Sequence, residues 1–442
     1  MYGNSIDNSF SNLKKALIKA GVSQDSFTFL LADEQKNPLI AHNVNKQFNP
    51  ASIMKLITTS AALDLLGPNY KWETKLLLSD APKENYTGDI FVKGSGDPFF
   101  LIKDLRNLLR TLKVLGIKNI SGNFVLDNNI FTLKKFDRGK FDGKPLEPYN
   151  VGPDGLLLNF FSSEVVFSSS PSSKVKLDIF PPPKKNIKVR LQPTNKSCNY
   201  SKINPKKSSS NIVFLGYIGK CIYLKKNFAL YDAKDYWVSS LVFLLNELNV
   251  KFSGNILYGE SPVDNELTFI HKSKPLSDII KSINKYSNNV MAENLYHTLA
   301  PNIKTVDNEI KKSKDLINLY LKDNIKSYDF YIDNGSGLSR KTKLTSNLIV
   351  NLLIAQYKKV TFPEFFASLP IAGVDGTLSE EEIFLRENKS FRFKTGSLNN
   401  VRAMAGVILE RNKKPFFLCY IINHKKAEKA KNMINTFISS KL

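Results

Sequence analysis

The stretch NPASIMKLITTSAALDLLG, residues 49–67, holds a serine and a lysine three positions apart at the start of a strongly apolar run. On a helix, residues three apart lie on one face, so we expect the Lys55 amine to reach the Ser52 hydroxyl. A serine is a weak nucleophile until a base removes its proton, and a lysine of lowered pKa can be that base. The pattern predicts an activated serine, whereas its simpler interpretation is a solvated lysine beside an N-capping serine.

Two further short motifs follow along the chain. YSNNVMAENL places Ser287 and Asn289 on or before a helix, and FRFKTGSLNN places Lys394, Thr395 and Gly396 on a strand. Penicillin-binding proteins and serine β-lactamases share Ser-x-x-Lys, Ser-x-Asn and Lys-Thr-Gly in this order. Each motif alone is common, but the ordered set is specific and outweighs the simpler interpretation of the first motif.

The first two motifs supply the groups that move protons in an acyl transfer. We expect Lys55 to take the Ser52 proton as the serine attacks an acyl carbon. Ser287 is placed to relay that proton to the leaving amine. The Asn289 amide can accept from the lysine and also hold a substrate amide.

The third motif supplies groups that bind the substrate and the developing charge. Lys394 is a second cation that helps to keep Lys55 neutral and attracts a substrate carboxylate. Thr395 adds a hydroxyl for that carboxylate, and Gly396 lets the substrate backbone lie against the strand. We expect the backbone N–H groups of Ser52 and Ser397 to stabilise the oxyanion.

The chain resembles the class C low-molecular-mass penicillin-binding proteins, the D-Ala-D-Ala carboxypeptidase/endopeptidase family of serine peptidases (family S13). The resemblance covers most of the chain and includes DNGSGLSR, which it places near the active site. The similar stretches are GSGDPFF from Gly94, YNVGPDGLLLN from Tyr149, NNVMAENL from Asn288, DNGSGLSR from Asp333, AGVDGTLS from Ala372 and KTGSLNNVRAMAGV from Lys394.

The resemblance implies an α+β fold: a transpeptidase domain of the penicillin-binding/β-lactamase type, split in sequence by a large, mostly β insertion of two domains. Near Lys71 the sequence pattern changes to one typical of short strands separated by turns. Helical periodicity returns near Ser261. The predicted domains are 1–72 with 262–442 for catalysis, 73–158 with 225–261 for inserted domain II, and 159–224 for inserted domain III. The polar stretch 198–210 is predicted to be an exposed loop.

In this family an acidic side chain of the insertion can face the amine end of the substrate peptide. The candidates are Glu147 and Asp154, with Asp142 as a third. Each would otherwise be a solvated loop carboxylate.

Charge and cysteine content limit the kinds of partner and cofactor that we expect. The net charge of +23 suggests an anionic partner, but it comes mainly from scattered lysines without a nucleic-acid-binding motif. We therefore expect no specific nucleic acid and a weak association with anionic wall or membrane surfaces, unless biased base composition alone explains the lysines. Cys198 and Cys221 could pair, and no Cys or His spacing predicts a metal site or a cofactor.

The expected activity is that of a serine DD-peptidase. Ser52 would form an acyl-enzyme with stem peptides of peptidoglycan, cleaving D-Ala-D-Ala or D-Ala-diamino acid bonds, and β-lactams would acylate the same serine. The location would be periplasmic or extracellular, with a signal peptide absent from this chain. The alternatives are a β-lactamase, which the long insertion disfavours, a non-catalytic penicillin-binding sensor and a basic nucleic-acid-binding protein.

Overall fold

A computed structural model describes residues 2–131, 136–169, 175–183, 185–208, 211–264, 267–302, 313–385 and 389–442. The chain forms two compact units. Residues 1–71 and 274–442 form the first, here called the split unit. Residues 72–273 form the second, here called the inserted unit.

The helices, numbered along the chain, are α1 Tyr2–Lys19, α2 Met54–Leu66, α3 Ile102–Val114, α4 Ala233–Glu247, α5 Leu276–Tyr286, α6 Asn289–Asn302, α7 Ser313–Tyr320, α8 Ser346–Tyr357, α9 Phe362–Ser368 and α10 Ala427–Lys441. The strands are β1 Phe27–Ala32, β2 Pro38–His42, β3 Glu73–Leu78, β4 Asn85–Tyr86, β5 Ile90–Lys93, β6 Asn119–Ile120, β7 Phe124–Asp127, β8 Ser163–Ser169, β9 Lys176–Phe180, β10 Asn186–Ser197, β11 Lys202–Lys207, β12 Asn211–Phe228, β13 Lys251–Phe252, β14 Ile256–Tyr258, β15 Thr268–Lys272, β16 Lys389–Leu398, β17 Val401–Glu410 and β18 Phe416–Asn423.

The split unit is built on a five-stranded antiparallel sheet with the order β16-β17-β18-β1-β2. Every residue of β1 is buried, as expected of a central strand with both faces covered. Helices α1 and α10 cover one face, where Phe10, Phe29, Ile434 and Phe437 share a core. Helix α8 packs against β1 and β18. The sheet therefore holds the first and the last parts of the chain together.

Helix α2 lies inside the split unit. It is buried along most of its length, which explains its lack of a polar face, and it packs against α5 and α6. A short 3-10 turn, Ala51–Ile53, precedes it. Ser52 therefore lies on this 3-10 turn, and Lys55 lies in the first turn of the helix that follows it.

Strand β16 forms the edge of the sheet beside this turn. A Cβ on Gly396 would lie only 2.6 Å from the Pro50 carbonyl oxygen and 3.2 Å from the Ser52 nitrogen. The chain's own turn therefore requires a glycine at this position. That a substrate backbone also lies against the strand stays a prediction.

Among its described residues, the inserted unit contains three sheets. Their orders are β14-β7-β5-β3-β15, β13-β6-β4 and β10-β12-β8-β9, with β11 pairing β12 in the last. The division of the insertion into residues 73–158 with 225–261 and residues 159–224 stays a prediction.

The prediction of an exposed loop at 198–210 was wrong for most of its described residues. Cys198–Tyr200 form a 3-10 turn, and β11 pairs with β12 in antiparallel register. An edge strand needs only one partner and turns many side chains to water. Its polar composition is for that reason hard to distinguish from that of a loop.

Cys198 and Cys221 form a disulfide, whereas Cys419 is a free, buried thiol on β18. In the part of the chain that the structure describes, no helix is long and apolar enough to span a bilayer.

The disulfide closes a loop across a sequence separation of 23 residues. Chain entropy predicts that replacing both cysteines by serine lowers the free energy of unfolding of the inserted unit by about 3 kcal/mol. Urea denaturation followed by circular dichroism, with and without a reducing agent, measures the change. The double variant should not respond to the reducing agent. A wild-type protein that is also unresponsive would contradict the prediction.

Candidate active site

Ser52 and Lys55 are in direct contact. Lys55 Nζ lies 2.9 Å from Ser52 Oγ, and the lysine side chain is completely buried. A solvated lysine beside an N-capping serine, the simpler interpretation of the motif, does not fit this burial.

Two more groups surround the Lys55 amine. Nζ lies 2.7 Å from Asn289 Oδ1, at the start of α6, and 2.7 Å from the Ser336 carbonyl oxygen. Both oxygens can only accept hydrogen bonds. A neutral amine has two N–H groups and one lone pair, so it gives its N–H groups to these oxygens. Its lone pair then faces the Ser52 hydroxyl, which is the geometry that a general base needs.

Burial makes the neutral amine accessible near neutral pH. Removal from water lowers the pKa of Lys55 to about 7, while the Glu293 carboxylate opposes this shift. A base whose pKa is close to the working pH is effective in general-base catalysis.

Glu293 also holds the loop that carries the Ser336 carbonyl. It lies on α6 and is buried, and its carboxylate accepts from the backbone N–H groups of Gly335 at 3.3 Å and Ser336 at 2.9 Å. Thr58 Oγ1 donates to the Gly335 carbonyl oxygen at 2.7 Å. Gly337 has φ +78°, and a Cβ there would lie 1.9 Å from the Ala51 carbonyl oxygen. The loop thus fits closely against the turn that carries the serine.

Glu293→Gln is expected to move the acid limb of the acylation rate to lower pH. Lys55 must be neutral to act as a base, so the rate falls as pH drops through its pKa. Removing the Glu293 charge lowers that pKa further. The plateau rate should fall by no more than about tenfold, because the amide oxygen still accepts one N–H. Second-order rate constants for acylation by a penicillin, measured across pH, give the limb.

A matched control separates this electrostatic effect from a loss of structure. Asp64 is a carboxylate on α2 that pairs with Lys359, and Asp64→Asn should leave the acid limb where it is. A limb that stays fixed or moves to higher pH in Glu293→Gln would contradict the expected effect.

Ser287 and Lys394 form the second pair of the site. Ser287 joins α5 to α6 in the left-handed conformation, and Lys394 Nζ lies 2.9 Å from its Oγ and 2.8 Å from the Thr395 carbonyl oxygen. Burial, and then the charge of Lys55, lowers the pKa of Lys394 well below its usual value. The sequence predicted that this second cation helps to keep Lys55 neutral, whereas burial is what lowers the pKa of Lys55 and the main cause for Lys394.

A cleft of about 260 Å³ opens beside these pairs. Its lining includes the following residues of the three motifs: Ser52, Ser287, Thr395, Gly396 and Ser397. Arg402, Lys431 and Glu381 also line it, with Lys431 paired to Glu381 and Arg402 paired to Glu428. A small cleft lined by hydroxyl groups suits the carboxylate end of a short peptide. The oxyanion role of the Ser52 and Ser397 N–H groups stays a prediction.

Thr377 adds a hydroxyl to this cleft. Its Oγ1 lies 2.8 Å from Thr395 Oγ1. Asp375, two positions before Thr377, accepts from the Lys285 amine and from the Ile371 N–H, which ties the loop to the helix that precedes Ser287.

Sequence reasoning did not predict Glu293, the Ser336 carbonyl or Thr377 as parts of the site. Glu293 gave one usable signal, since it is an acid four positions after Asn289 on a largely apolar helix. A backbone carbonyl has no signature in the sequence. Thr377 lies in a stretch that was noted only for its resemblance to the family.

The three carboxylates predicted in the insertion have different surroundings. Asp154 accepts from the Asn128 amide and the Leu156 N–H, and burial raises its pKa. Exposed Asp142 accepts from the Tyr149 hydroxyl and the Asn150 amide. Glu147 and Asp154 both line a cavity of about 1110 Å³ in the inserted unit. Because Asp154 already accepts from Asn128 and Leu156, Glu147 is the better candidate, and its role toward a substrate stays a prediction.

In the described ranges, no three His, Cys, Asp or Glu side chains cluster closely enough to hold a metal ion. The chemistry outlined above uses only side chains and backbone of the chain.

The fold and the site define a serine enzyme of the penicillin-binding class. The chain belongs to the D-Ala-D-Ala carboxypeptidase 3 (S13) family, whose sequence pattern matches residues 10–440. The family assignment and the α+β fold that the sequence predicted are thereby confirmed.

Two bacterial relatives match most of the chain. The chain is 27% identical over 409 residues to the D-alanyl-D-alanine carboxypeptidase DacB of Haemophilus influenzae, covering 89% of this chain and 84% of that protein. It is 23% identical over 392 residues to the D-alanyl-D-alanine carboxypeptidase of an Actinomadura species, covering 84% and 72%.

Solved structures share the fold. The crystal structure of penicillin binding protein 4 from Haemophilus influenzae matches with a TM-score of 0.75 at 24% identity, covering 93% of this chain and 95% of that one. A predatory endopeptidase from Bdellovibrio bacteriovorus, in complex with its immunity protein, matches with a TM-score of 0.57 at 17% identity, covering 93% and 91%.

Proposed function

We propose that this protein is a serine DD-peptidase of peptidoglycan. It cleaves the bond between two D-alanines, or between D-alanine and a diamino acid in a cross-link, through an acyl-enzyme on Ser52. β-Lactams acylate the same serine. The contact that carries the proposal is that of the buried Lys55 amine with the Ser52 hydroxyl, and membership of the S13 family supports it.

Acylation begins with proton transfer from Ser52 to the lone pair of Lys55. The serine oxygen forms a bond to the carbonyl carbon of the penultimate D-alanine. The N–H groups of Ser52 and Ser397 stabilise the negative oxygen that develops. The C–N bond then breaks, and the leaving amine receives a proton that passes from Lys55 through Ser287.

Deacylation repeats these steps with water in place of the serine. Lys55, neutral again, takes a proton from water as the water oxygen attacks the ester carbon. The ester bond to Ser52 breaks, and the serine oxygen regains its proton. Because one amine serves both half-reactions, its pKa near 7 suits the giving and the taking of a proton.

The ends of the substrate peptide are bound by different groups. The Thr395 hydroxyl, which lines the cleft, binds the terminal carboxylate, and the Thr377 hydroxyl orients that of Thr395. Lys394, buried beside Ser287, attracts the carboxylate without lining the cleft. Glu147 of the inserted unit is the proposed partner for the amine end of the stem peptide.

The test combines two peptides with a penicillin. A synthetic pentapeptide ending in D-Ala-D-Ala reports carboxypeptidase activity as released D-alanine, and a cross-linked dimer reports endopeptidase activity by mass. A fluorescent penicillin followed by peptide mapping locates the adduct. Stable label on Ser52 with cleavage of either peptide supports the proposal. Rapid release of hydrolysed penicillin would favour a β-lactamase, and label without cleavage of either peptide would favour a sensor.

We further propose a periplasmic or extracellular location. The Cys198–Cys221 disulfide supports it, because structural disulfides persist in oxidising compartments. The net charge of +23 also supports a weak, salt-dependent association with anionic wall or membrane surfaces.

A further inference from the structure

Part of the inserted unit is strongly basic in sequence. Residues 179–231, which include β10, β11 and β12, contain 11 lysines and arginines and no aspartate or glutamate. The whole chain has 40 acidic residues, so their absence from this stretch is a local property. It concentrates positive charge on these three strands.

The same sheet exposes three large side chains that are wholly or partly apolar. Ile222 is 94% exposed, Tyr223 63% and Tyr200 62%. We call these three residues the apolar tip. Single exposed apolar residues are common on proteins, but here three of them lie close together in the fold.

A bulge and a disulfide place the apolar tip. Cys221 pairs with Ser169 and Leu224 with Phe167, so the register shifts between them at Ile222 and Tyr223. Such a bulge turns side chains away from the regular ladder. The Cys198–Cys221 bond fixes the turn that carries Tyr200 beside the bulge.

Hydrogen bonds hold the same turn. Ser201 Oγ accepts from the Gly219 N–H at 3.0 Å and donates to the Cys198 carbonyl oxygen at 2.7 Å. The tip is therefore held in shape before it meets any partner, and little backbone entropy would be lost on binding.

Lysines surround the apolar tip. Lys196 Nζ lies 5.8 Å from the centre of the Tyr200 ring. On β12, Lys220 is exposed and Lys226 is partly exposed. A surface that combines tyrosine, isoleucine and lysine suits the boundary between lipid headgroups and acyl chains. An anionic polymer would attract the lysines equally well, but it would gain little from an isoleucine that is almost fully exposed.

We propose that the apolar tip docks on an anionic lipid bilayer, with Ile222 and Tyr223 entering the headgroup region and the surrounding lysines facing lipid phosphates. The attachment is peripheral and reversible. This inference rests on the proposed location outside the cytoplasm, and it gives the proposed surface association a particular site and a lipid partner.

The test measures binding of the full chain to vesicles by flotation. The vesicles contain either phosphatidylcholine alone or phosphatidylcholine with phosphatidylglycerol. We compare the wild type, the double variant Ile222→Ser/Tyr223→Ser and the matched control Val360→Ser. Val360 is 96% exposed and follows two lysines, so its replacement removes a comparable exposed apolar group beside positive charge.

We expect the wild type to bind the anionic vesicles and to bind them more weakly as the salt concentration rises. It should not bind the neutral vesicles. The double variant should lose at least about tenfold in affinity, because the apolar contribution is removed while every lysine remains. Val360→Ser should bind like the wild type.

Three results would overturn the proposal. They are no binding of the wild type to anionic vesicles at low salt, equal binding by the double variant and the wild type, and an equal loss in Val360→Ser. Penicillin labelling of Ser52 is measured on the same samples and should be unchanged in the double variant. Failure of docking with intact labelling is thus distinguishable from failure of the proposed peptidase function.

Discussion

Ser52→Ala is expected to abolish covalent labelling by penicillin and to lower peptide cleavage by on the order of a millionfold, as removal of the nucleophile does in other serine hydrolases. The fold should survive. The neutral Lys55 amine keeps both of its acceptors, Asn289 Oδ1 and the Ser336 carbonyl oxygen, so no charge is left buried without a partner. Intact-protein mass spectrometry after incubation with a penicillin measures labelling, and release of D-alanine measures cleavage.

The same helix region offers a matched control. Ser60 is fully buried on α2, and its hydroxyl has no hydrogen-bond partner among the described residues. Ser60→Ala therefore removes a buried serine hydroxyl without touching the proton path, and labelling should stay at the wild-type rate. Label on the Ser52→Ala protein, at any residue and at the wild-type rate, would refute the assignment of the nucleophile.

Lys55→Met is expected to lower the acylation rate by about 10³- to 10⁴-fold, the scale of a lost general base. Methionine is nearly as long as lysine and suits the buried position, but it has no basic nitrogen to take the Ser52 proton. It also leaves two oxygens without their donor, which costs about 1–3 kcal/mol of stability for each. Stopped-flow measurement of penicillin acylation gives the rate, and thermal unfolding gives the stability.

Lys55→Arg separates the two roles that this amine could have. Arginine keeps the positive charge and the donors but does not lose its proton at accessible pH. If Lys55 acts as a base, the arginine variant should be as slow as the methionine variant. An arginine variant that acylates within about tenfold of the wild type would show that the charge alone suffices and would overturn the lone-pair argument.

Local patterns made much of the split unit predictable. The helix that carries Lys55 and the Lys-Thr-Gly strand were visible as apolar periodicity around short motifs. The motifs also specified which side chains meet, because their order along the chain matched that of a known family.

Groups without a sequence signature were not predictable. Every residue has a backbone carbonyl, so nothing in the sequence marks that of Ser336. Only the three-dimensional course of its loop brings this carbonyl to Lys55. Glu293 acts through two backbone N–H groups of that loop. The pairing of Cys198 with Cys221 was left open for the same reason, because spacing alone does not bring two thiols together.

The order of strands in the split unit has a consequence for how the protein is made. Strand β1 lies between β2 and β18, so the sheet behind the nucleophile stays open until the last strand has been synthesised. During that time the complete inserted unit has already emerged and can fold. Pairing across so long a separation is slow, because the entropy of closing the loop is lost before the stabilising contacts form. A chain whose synthesis stops before residue 416 therefore contains Ser52 and Lys55 but lacks β18, and it is not a complete enzyme.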